Sequence, residues 1–233
     1  MSSTTSTDET KTAAQHPILK IVKNHRKLLQ RLISNDDEID TILTEALLIA
    51  EKMVPDMAYS NNPKHPMAGS VYFCNASLSV YLAVKTRGMD VHQYGEQMLL
   101  ELRHSYKPTN TDSNRPLEDQ LANHIAAAKK SPKEAKPSEF VYDVEIAPDT
   151  NTDWTMTIKS CAICSSFSKH DAMELVPYMC ATDDIMSDTD GDGLRRTGTI
   201  ALGAKQCDFR YKKNGAPNRV AENFPEQIRL REI

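Results

Sequence analysis

Apolar side chains recur every three to four residues through the first half of the chain and every second residue in stretches after position 140. The first period is that of helices burying one face, the second that of strands lying on a core. Ile18, Leu19, Ile21, Val22, Leu28, Leu29, Leu32 and Ile33 predict one amphipathic helix, with Pro17 suited to its first turn and Ser34-Asn35-Asp36 ending it. Ile39, Ile42, Leu43, Ala46, Leu47, Ala50, Met53 and Val54 predict a second, begun by Asp36 and Asp37 and stopped at Pro55. After loop signals at Asn61-Asn62-Pro63 and His65-Pro66, the run Val71 to Val84 predicts a third, closing at Arg87-Gly88. Asp90 is placed to cap a fourth, whose apolar face is Val91, Tyr94, Met98, Leu99 and Leu102.

The middle of the chain reads as a short helix, Leu117 to Ala128, between two polar connectors, Lys107 to Pro116 and Lys129 to Ser138. Beyond it Phe140, Tyr142, Val144 and Ile146 alternate with polar residues, as do Trp154, Met156 and Ile158, and Pro148-Asp149-Thr150-Asn151 lies between the two runs as a hairpin turn would. A helical stretch follows from Asp171 to Met186, then two strand-like runs, Arg196 to Leu202 and Cys207 to Lys212. Helices first and strands later predict an α+β fold: an N-terminal helical layer packed on a C-terminal, mostly antiparallel sheet with an interposed helix. The expected division is a disordered tail over 1–15, a helical region over 16–130 and an α+β region over 139–233, the last two forming one integrated domain.

Composition narrows the function classes. The 233 residues carry 28 Lys and Arg against 32 Asp and Glu, a net charge of −4, which leaves no basic excess for a nucleic acid. Mean hydropathy is −0.51, and no stretch approaches the roughly 18 uncharged apolar residues of a membrane span. The Ser/Thr-rich opening segment lacks an apolar core and carries Asp8 and Glu9, so neither a secretory nor a mitochondrial address is expected. Five cysteines, an odd number, fit free thiols in a reducing compartment, and a cytoplasmic location follows. The partners expected are a small-molecule substrate, no nucleic acid and no membrane, with homo-oligomerisation left open.

Two motifs imitate metal sites. Cys161-x-x-Cys164 with Cys180 and Cys207 would supply four thiolates, but a zinc ribbon needs a second close pair and the later cysteines are single. Asp188-Thr-Asp190-Gly-Asp192-Gly193 resembles the start of a calcium loop, yet Thr199 stands where the bidentate carboxylate belongs, and a surface turn fits better. No metal and no cofactor are therefore expected. A redox pair at Cys161 and Cys164 would be expected at a strand-to-helix junction of thioredoxin-like order, which the long helical first half does not resemble. Eight glycines form no phosphate loop, and the seven histidines form no His-x-x-x-His.

The densest group of polar side chains on apolar scaffolding is Cys180, Asp183 and Asp184 on one helix, Arg195-Arg196-Thr197, and Cys207-Asp208-Phe209-Arg210. In a helix Cys180 and Asp183 share a face. In a strand Cys207 and Phe209 share one face, Asp208 and Arg210 the other. Ion pairs between these arginines and carboxylates would serve structure alone, but at a surface they contribute only about 0–1 kcal/mol each.

The ordered runs Ser160-Cys161-Ala-Ile-Cys164, Glu174-Leu-Val-Pro177-Tyr-Met-Cys180-Ala-Thr-Asp183, Leu194-Arg-Arg196-Thr197-Gly-Thr199-Ile-Ala201-Leu-Gly203-Ala204 and Cys207-Asp208-Phe209-Arg210-Tyr211 resemble the L-2-amino-thiazoline-4-carboxylic acid hydrolase family. The likeness extends more weakly to Asn75-Ala-Ser-Leu78 and Arg87-Gly88, and the last strand is distantly similar to four-vinyl reductase type small-molecule-binding domains. The resemblance implies a hydrolase opening a small cyclic amidine-like heterocycle at a C–N or C–S bond, as in converting an aminothiazoline to a carbamoyl-cysteine. Such chemistry needs a nucleophile, a cation for the substrate carboxylate and a proton for the leaving atom. Asp183 or Asp208 would activate water, or Cys180 or Cys207 would attack covalently, as a thiolate beside arginine has a depressed pKa. Arg196, with Thr197 and Arg210, would bind the substrate. A biosynthetic cyclase or isomerase on the same scaffold, and a non-catalytic small-molecule sensor, are the alternatives.

Overall fold

His16 and Pro17 open the first helix: the His16 ring accepts the amide of Ile18, and Pro17, with no amide to satisfy, takes a first-turn position. The stripe that predicts one helix over residues 17–33 belongs to two, α1 (Pro17–Asn24) and α2 (Arg26–Leu32), parted at His25. The break follows from a buried imidazole. His25 Nδ1 donates to the Ile21 carbonyl at 2.9 Å and Nε2 accepts from Ser77 Oγ at 3.1 Å, so the ring is paired at both ends without a charge, and its burial holds its pKa below the usual histidine value. In this computed structural model the described residues are 16–108, 115–147 and 151–216; the expected tail lies outside them, as does most of the expected hairpin turn.

The chain divides into two compact units, Met1–Gln97 and Met98–Ile233. In the first, α3 (Asp36–Met53) starts where Asn35 Oδ1 accepts the amides of Asp37 and Glu38, with acidic side chains in the first turn complementing the helix dipole. It buries Ile39, Ile42, Leu43, Ala46 and Ala50 and gives way before Pro55 to a single 3₁₀ turn. α4 (Ala68–Lys85) packs against both α1 and α3 and is buried nearly all round. Small residues allow this, and the buried polar ones are paired: Asn75 Nδ2 donates to Val71 O and Ser79 Oγ to Ala76 O within the helix, while Ser77 Oγ reaches His25. Gly88 adopts a φ of +82° past the helix end, as expected of a C-terminal glycine. Asp90 Oδ1 then accepts the amides of His92 and Gln93 and begins α5 (Val91–Ser105), within which the division between units falls.

The second unit corrects the expected connector at 129–138. α6 runs from Leu117 to Glu134, through Pro132. Proline cannot donate to the Ala128 carbonyl, but Ser131 Oγ lies 3.1 Å from that oxygen and supplies the missing partner. The same hydroxyl contacts the Tyr142 amide and carbonyl, both at 3.1 Å, and so ties the helix to the irregular start of β1 (Val141–Ile146).

β2 (Trp154–Ser160) lies between β1 and β3 (Cys207–Tyr211) in an antiparallel sheet of order β1-β2-β3. Ile158 opposes Cys207, Met156 opposes Phe209 and Trp154 opposes Tyr211, so these six share one face. α7 (Ala162–Ser168) and α8 (Val176–Asp190) are interposed between β2 and β3, and helices precede the sheet, as the α+β expectation requires. α8 starts five residues later than predicted, after a 3₁₀ turn at Met173–Leu175, because Asp171 takes a φ of +48°. It ends at Gly191, φ +72°, with Asp188 and Asp190 still in the helix, so the acidic stretch is a helix end followed by a turn. Gly193 closes that turn, where a Cβ would come within 2.5 Å of the Gly215 and Lys212 carbonyls.

The strand expected at Arg196 to Leu202 does not form. Only Arg195 pairs with Arg210, as an isolated bridge, and Ile200–Leu202 is a 3₁₀ turn ended by Gly203 at φ +89°. The amides a ladder would use are taken by side chains: Asp208 Oδ1 accepts those of Thr197 and Gly198 at 2.8 and 3.0 Å, and Cys207 Sγ accepts that of Ile200 at 3.3 Å. Among the described residues no helix is long and apolar enough to cross a membrane.

Candidate active site

Arg196 organises the site. Its side chain has no exposed area, and burying a guanidinium is costly unless its terminal nitrogens find partners. Nη1 donates to Asp183 Oδ2 at 3.0 Å; Nη2 donates to Asp184 Oδ2 at 2.9 Å and to the Cys180 carbonyl at 2.7 Å. The guanidinium carbon stands 5.4 Å from the centre of the Phe209 ring, which adds a cation–π contact from β3. One arginine thus joins α8 to the inner face of the sheet and holds two adjacent carboxylates that would otherwise repel.

Those two carboxylates differ. Asp184 keeps 15% of its side chain exposed, Asp183 33%, so Asp183 is the member open to a ligand. Burial pushes the Asp183 carboxyl up to about 6, the attraction of Arg196 opposing it and the charge of Asp184 adding to it. A carboxyl at that value is mostly ionised at pH 7 yet takes a proton easily, the property wanted of a general base.

The thiols behave otherwise than expected. Arg196 does lower Cys180, but burial outweighs it and pushes the thiol well up. Cys207, buried and accepting the Ile200 amide, is pushed up to about 11, again by burial first. The thiol held below its usual value is Cys161, which accepts hydrogen bonds from the Cys164 side chain first and then from the Cys164 and Ile163 amides; these overcome its burial and the nearby Asp183. Cys164, in turn, is pushed far up, mainly by the hydrogen bond it gives Cys161 and by burial. The charges of Cys161, Cys180 and Cys207 all act on Cys164, which gathers four thiols around the end of β2, α7, α8 and β3. All are free, and among the described residues no three His, Cys, Asp or Glu side chains are arranged to hold a metal ion.

Of the seven residues singled out from the sequence, four come together: Cys180, Asp183, Arg196 and Cys207. The other three lie on the opposite face of β3. There Asp208 accepts the Thr197 amide and Thr197 Oγ1, both at 2.8 Å, and the Gly198 amide, and its Oδ2 stands 3.3 Å from Arg210 Nη2. Four donors fasten this carboxylate into the 197–198 loop. Five members of the inner cluster were not among those seven: Asp184, Cys161, Cys164, Phe209 and Tyr211. Tyr211 stacks on Trp154 at 3.9 Å, and burial, aided by the charge of Asp183, keeps its hydroxyl protonated. The alternation Cys207-Phe209-Tyr211 carries the signal for it. Thr199 adds a buried hydroxyl with no hydrogen-bond partner among the described residues.

The model of the L-2-amino-thiazoline-4-carboxylic acid hydrolase family matches residues 83–211, more than half of the chain. That span holds α8, the Arg196 segment, the whole sheet and every residue of both clusters. No curated protein and no solved structure matches. The order of the cysteine, aspartate and arginine motifs and the family match agree, and the chain belongs to the L-2-amino-thiazoline-4-carboxylic acid hydrolase family.

Proposed function

We propose that this chain is a hydrolase that opens a small cyclic amidine-like heterocycle of the 2-aminothiazoline-carboxylate type, with Asp183 activating the attacking water. The observation that carries this reading is the Asp183 carboxyl, pushed up to about 6, a third open to solvent and fixed by a buried arginine. Family membership supplies the reaction class.

In this reading Asp183 takes a proton from water as its oxygen adds to the amidine carbon, and returns it to the leaving ring atom as the C–S or C–N bond breaks. The product gains one water and no redox change occurs. Arg196 is a positioning residue, since both its terminal nitrogens are engaged; its fork keeps Asp183 ionised and aimed. Cys180 and Cys207, both held as neutral thiols, contribute shape and weak hydrogen bonds rather than a thiolate. Asp208, Thr197 and Arg210 order the loop that follows Arg196 and so act on the site through it.

The test is incubation of the purified protein with L-2-amino-thiazoline-4-carboxylate and mass spectrometry of the mixture. A carbamoyl-cysteine, heavier by one water, is expected, and Asp183→Asn should lose it while melting as a folded protein. Turnover undiminished in Asp183→Asn would remove Asp183 from the chemistry. No turnover of this or related 2-amino heterocycles by the wild type would count against the substrate class.

A further inference from the structure

The hydrolase reading makes no use of the Cys161-x-x-Cys164 pair, and the fold places it at a corner that periodicity alone does not foretell. β2 ends at Ser160, Cys161 takes the extended conformation that caps a helix, and Cys164 sits in the first turn of α7. The pair therefore lies at a strand-to-helix junction after all. The two residues are joined across the corner: Cys161 Sγ accepts the Cys164 amide at 3.5 Å, and the two thiols act on each other's proton affinity in opposite directions. Both residues are free and partly exposed, as is Cys180, whereas Cys74 and Cys207 are buried. Two cysteines three residues apart share the first turn of this corner, and the sulfur of one accepts the backbone amide of the other.

We propose that Cys161 and Cys164 form a thiol–disulfide exchange site, with Cys161 the attacking sulfur, Cys164 the resolving one, and a low-molecular-weight disulfide the oxidant. Asymmetry within the pair sets the roles. A thiol that accepts hydrogen bonds is stabilised as the thiolate, the form that attacks sulfur; a thiol that donates keeps its proton. The Cys161 thiolate displaces one thiolate from the disulfide, giving a mixed disulfide on Cys161. Cys164, losing its proton, then attacks Cys161 Sγ and releases the second thiolate. The protein dithiol gives up two electrons, the small disulfide gains them, and the two protein protons end on the two small thiols.

Oxidised glutathione is the probe, added to the reduced full-length chain near pH 7. The wild type should lose two hydrogens in mass, and peptide mapping should join Cys161 to Cys164. Cys164→Ser should instead hold one glutathione on Cys161, because nothing resolves it. Cys161→Ser should take up glutathione in this segment at least about tenfold more slowly, since its remaining thiol carries its proton. Peptide mapping of the wild type keeps the test independent of how either variant folds. A disulfide joining other cysteines would overturn the proposal, as would glutathione on Cys180 or Cys207 before Cys161, or equal uptake in the two variants. Turnover of the heterocycle is not read in this experiment, so its outcome is separable from that of the hydrolase reading.

Discussion

Replacing Arg196 with methionine keeps an unbranched apolar side chain but removes the charge that holds Asp183 and Asp184 together, along with the cation–π contact to Phe209. Three donated hydrogen bonds, at 3.0, 2.9 and 2.7 Å, go with it. Removing one partner from a buried ion pair costs about 3–5 kcal/mol, chiefly because the charges left behind stay desolvated. For a chain of 233 residues, each kcal/mol lowers Tm by about 2–4 °C, so a drop of about 6–20 °C at pH 7 is expected. The loss should depend on pH in a definite direction. Without Arg196 the Asp183 carboxyl rises above its present value of about 6; the strain exists when both carboxylates are ionised and fades as pH falls through the raised value. Thermal melts of both proteins, followed by circular dichroism at pH 7.5 and pH 5, should show the gap narrowing at pH 5. A Tm within about 2 °C of wild type at pH 7.5, or a gap of equal size at both pH values, would refute the assignment of Arg196 as the clamp between these carboxylates.

Asp183→Asn probes the same pair from the other side. Because the folded pKa of Asp183 is raised, its contribution to stability is full below its unfolded value near 4 and is lost as pH rises through about 6. Chemical denaturation should therefore show the wild type losing ground to Asp183→Asn over that window, by about 1–2 kcal/mol, less than the full shift implies since a third of the side chain meets solvent. Asp208→Ala should free the amides of Thr197 and Gly198 and cost about 1–3 kcal/mol, read as faster hydrogen exchange across residues 197–204; unchanged exchange would count against its loop role. Millimolar calcium should leave Tm unchanged, since Asp188 and Asp190 lie within α8 and not in a binding loop; a ligand-like rise would contradict that.

Periodicity revealed the helices that bury one side and the strands that alternate, because in both cases one face meets a core. It failed where a side chain decides the backbone's course. The stripe across α1 and α2 does not show that His25 is buried and paired at both ring nitrogens. Pro132 reads as a helix breaker until Ser131 is seen to occupy the carbonyl it abandons. Thr199 and Ile200 read as strand until Asp208 and Cys207 take the neighbouring amides. In the site, helical and strand spacing foretold which residues share a face, including the separation of Asp208 and Arg210 from Cys207. The balance between burial and charge was not legible: an arginine beside a thiol suggests a thiolate, yet the depth of Cys180 reverses the sign. The pairing of Cys161 with Cys164 needed the corner between β2 and α7, which no local pattern announces.

If Asp183 is the base for ring opening, the pH dependence of kcat with L-2-amino-thiazoline-4-carboxylate must carry its titration. The wild-type profile should fall on the acid side near pH 6, where Asp183 takes its proton, and Asp183→Asn should be slowed by about 10²–10⁴ with that limb gone. A limb near pH 6 that survives in Asp183→Asn at undiminished rate would contradict that role.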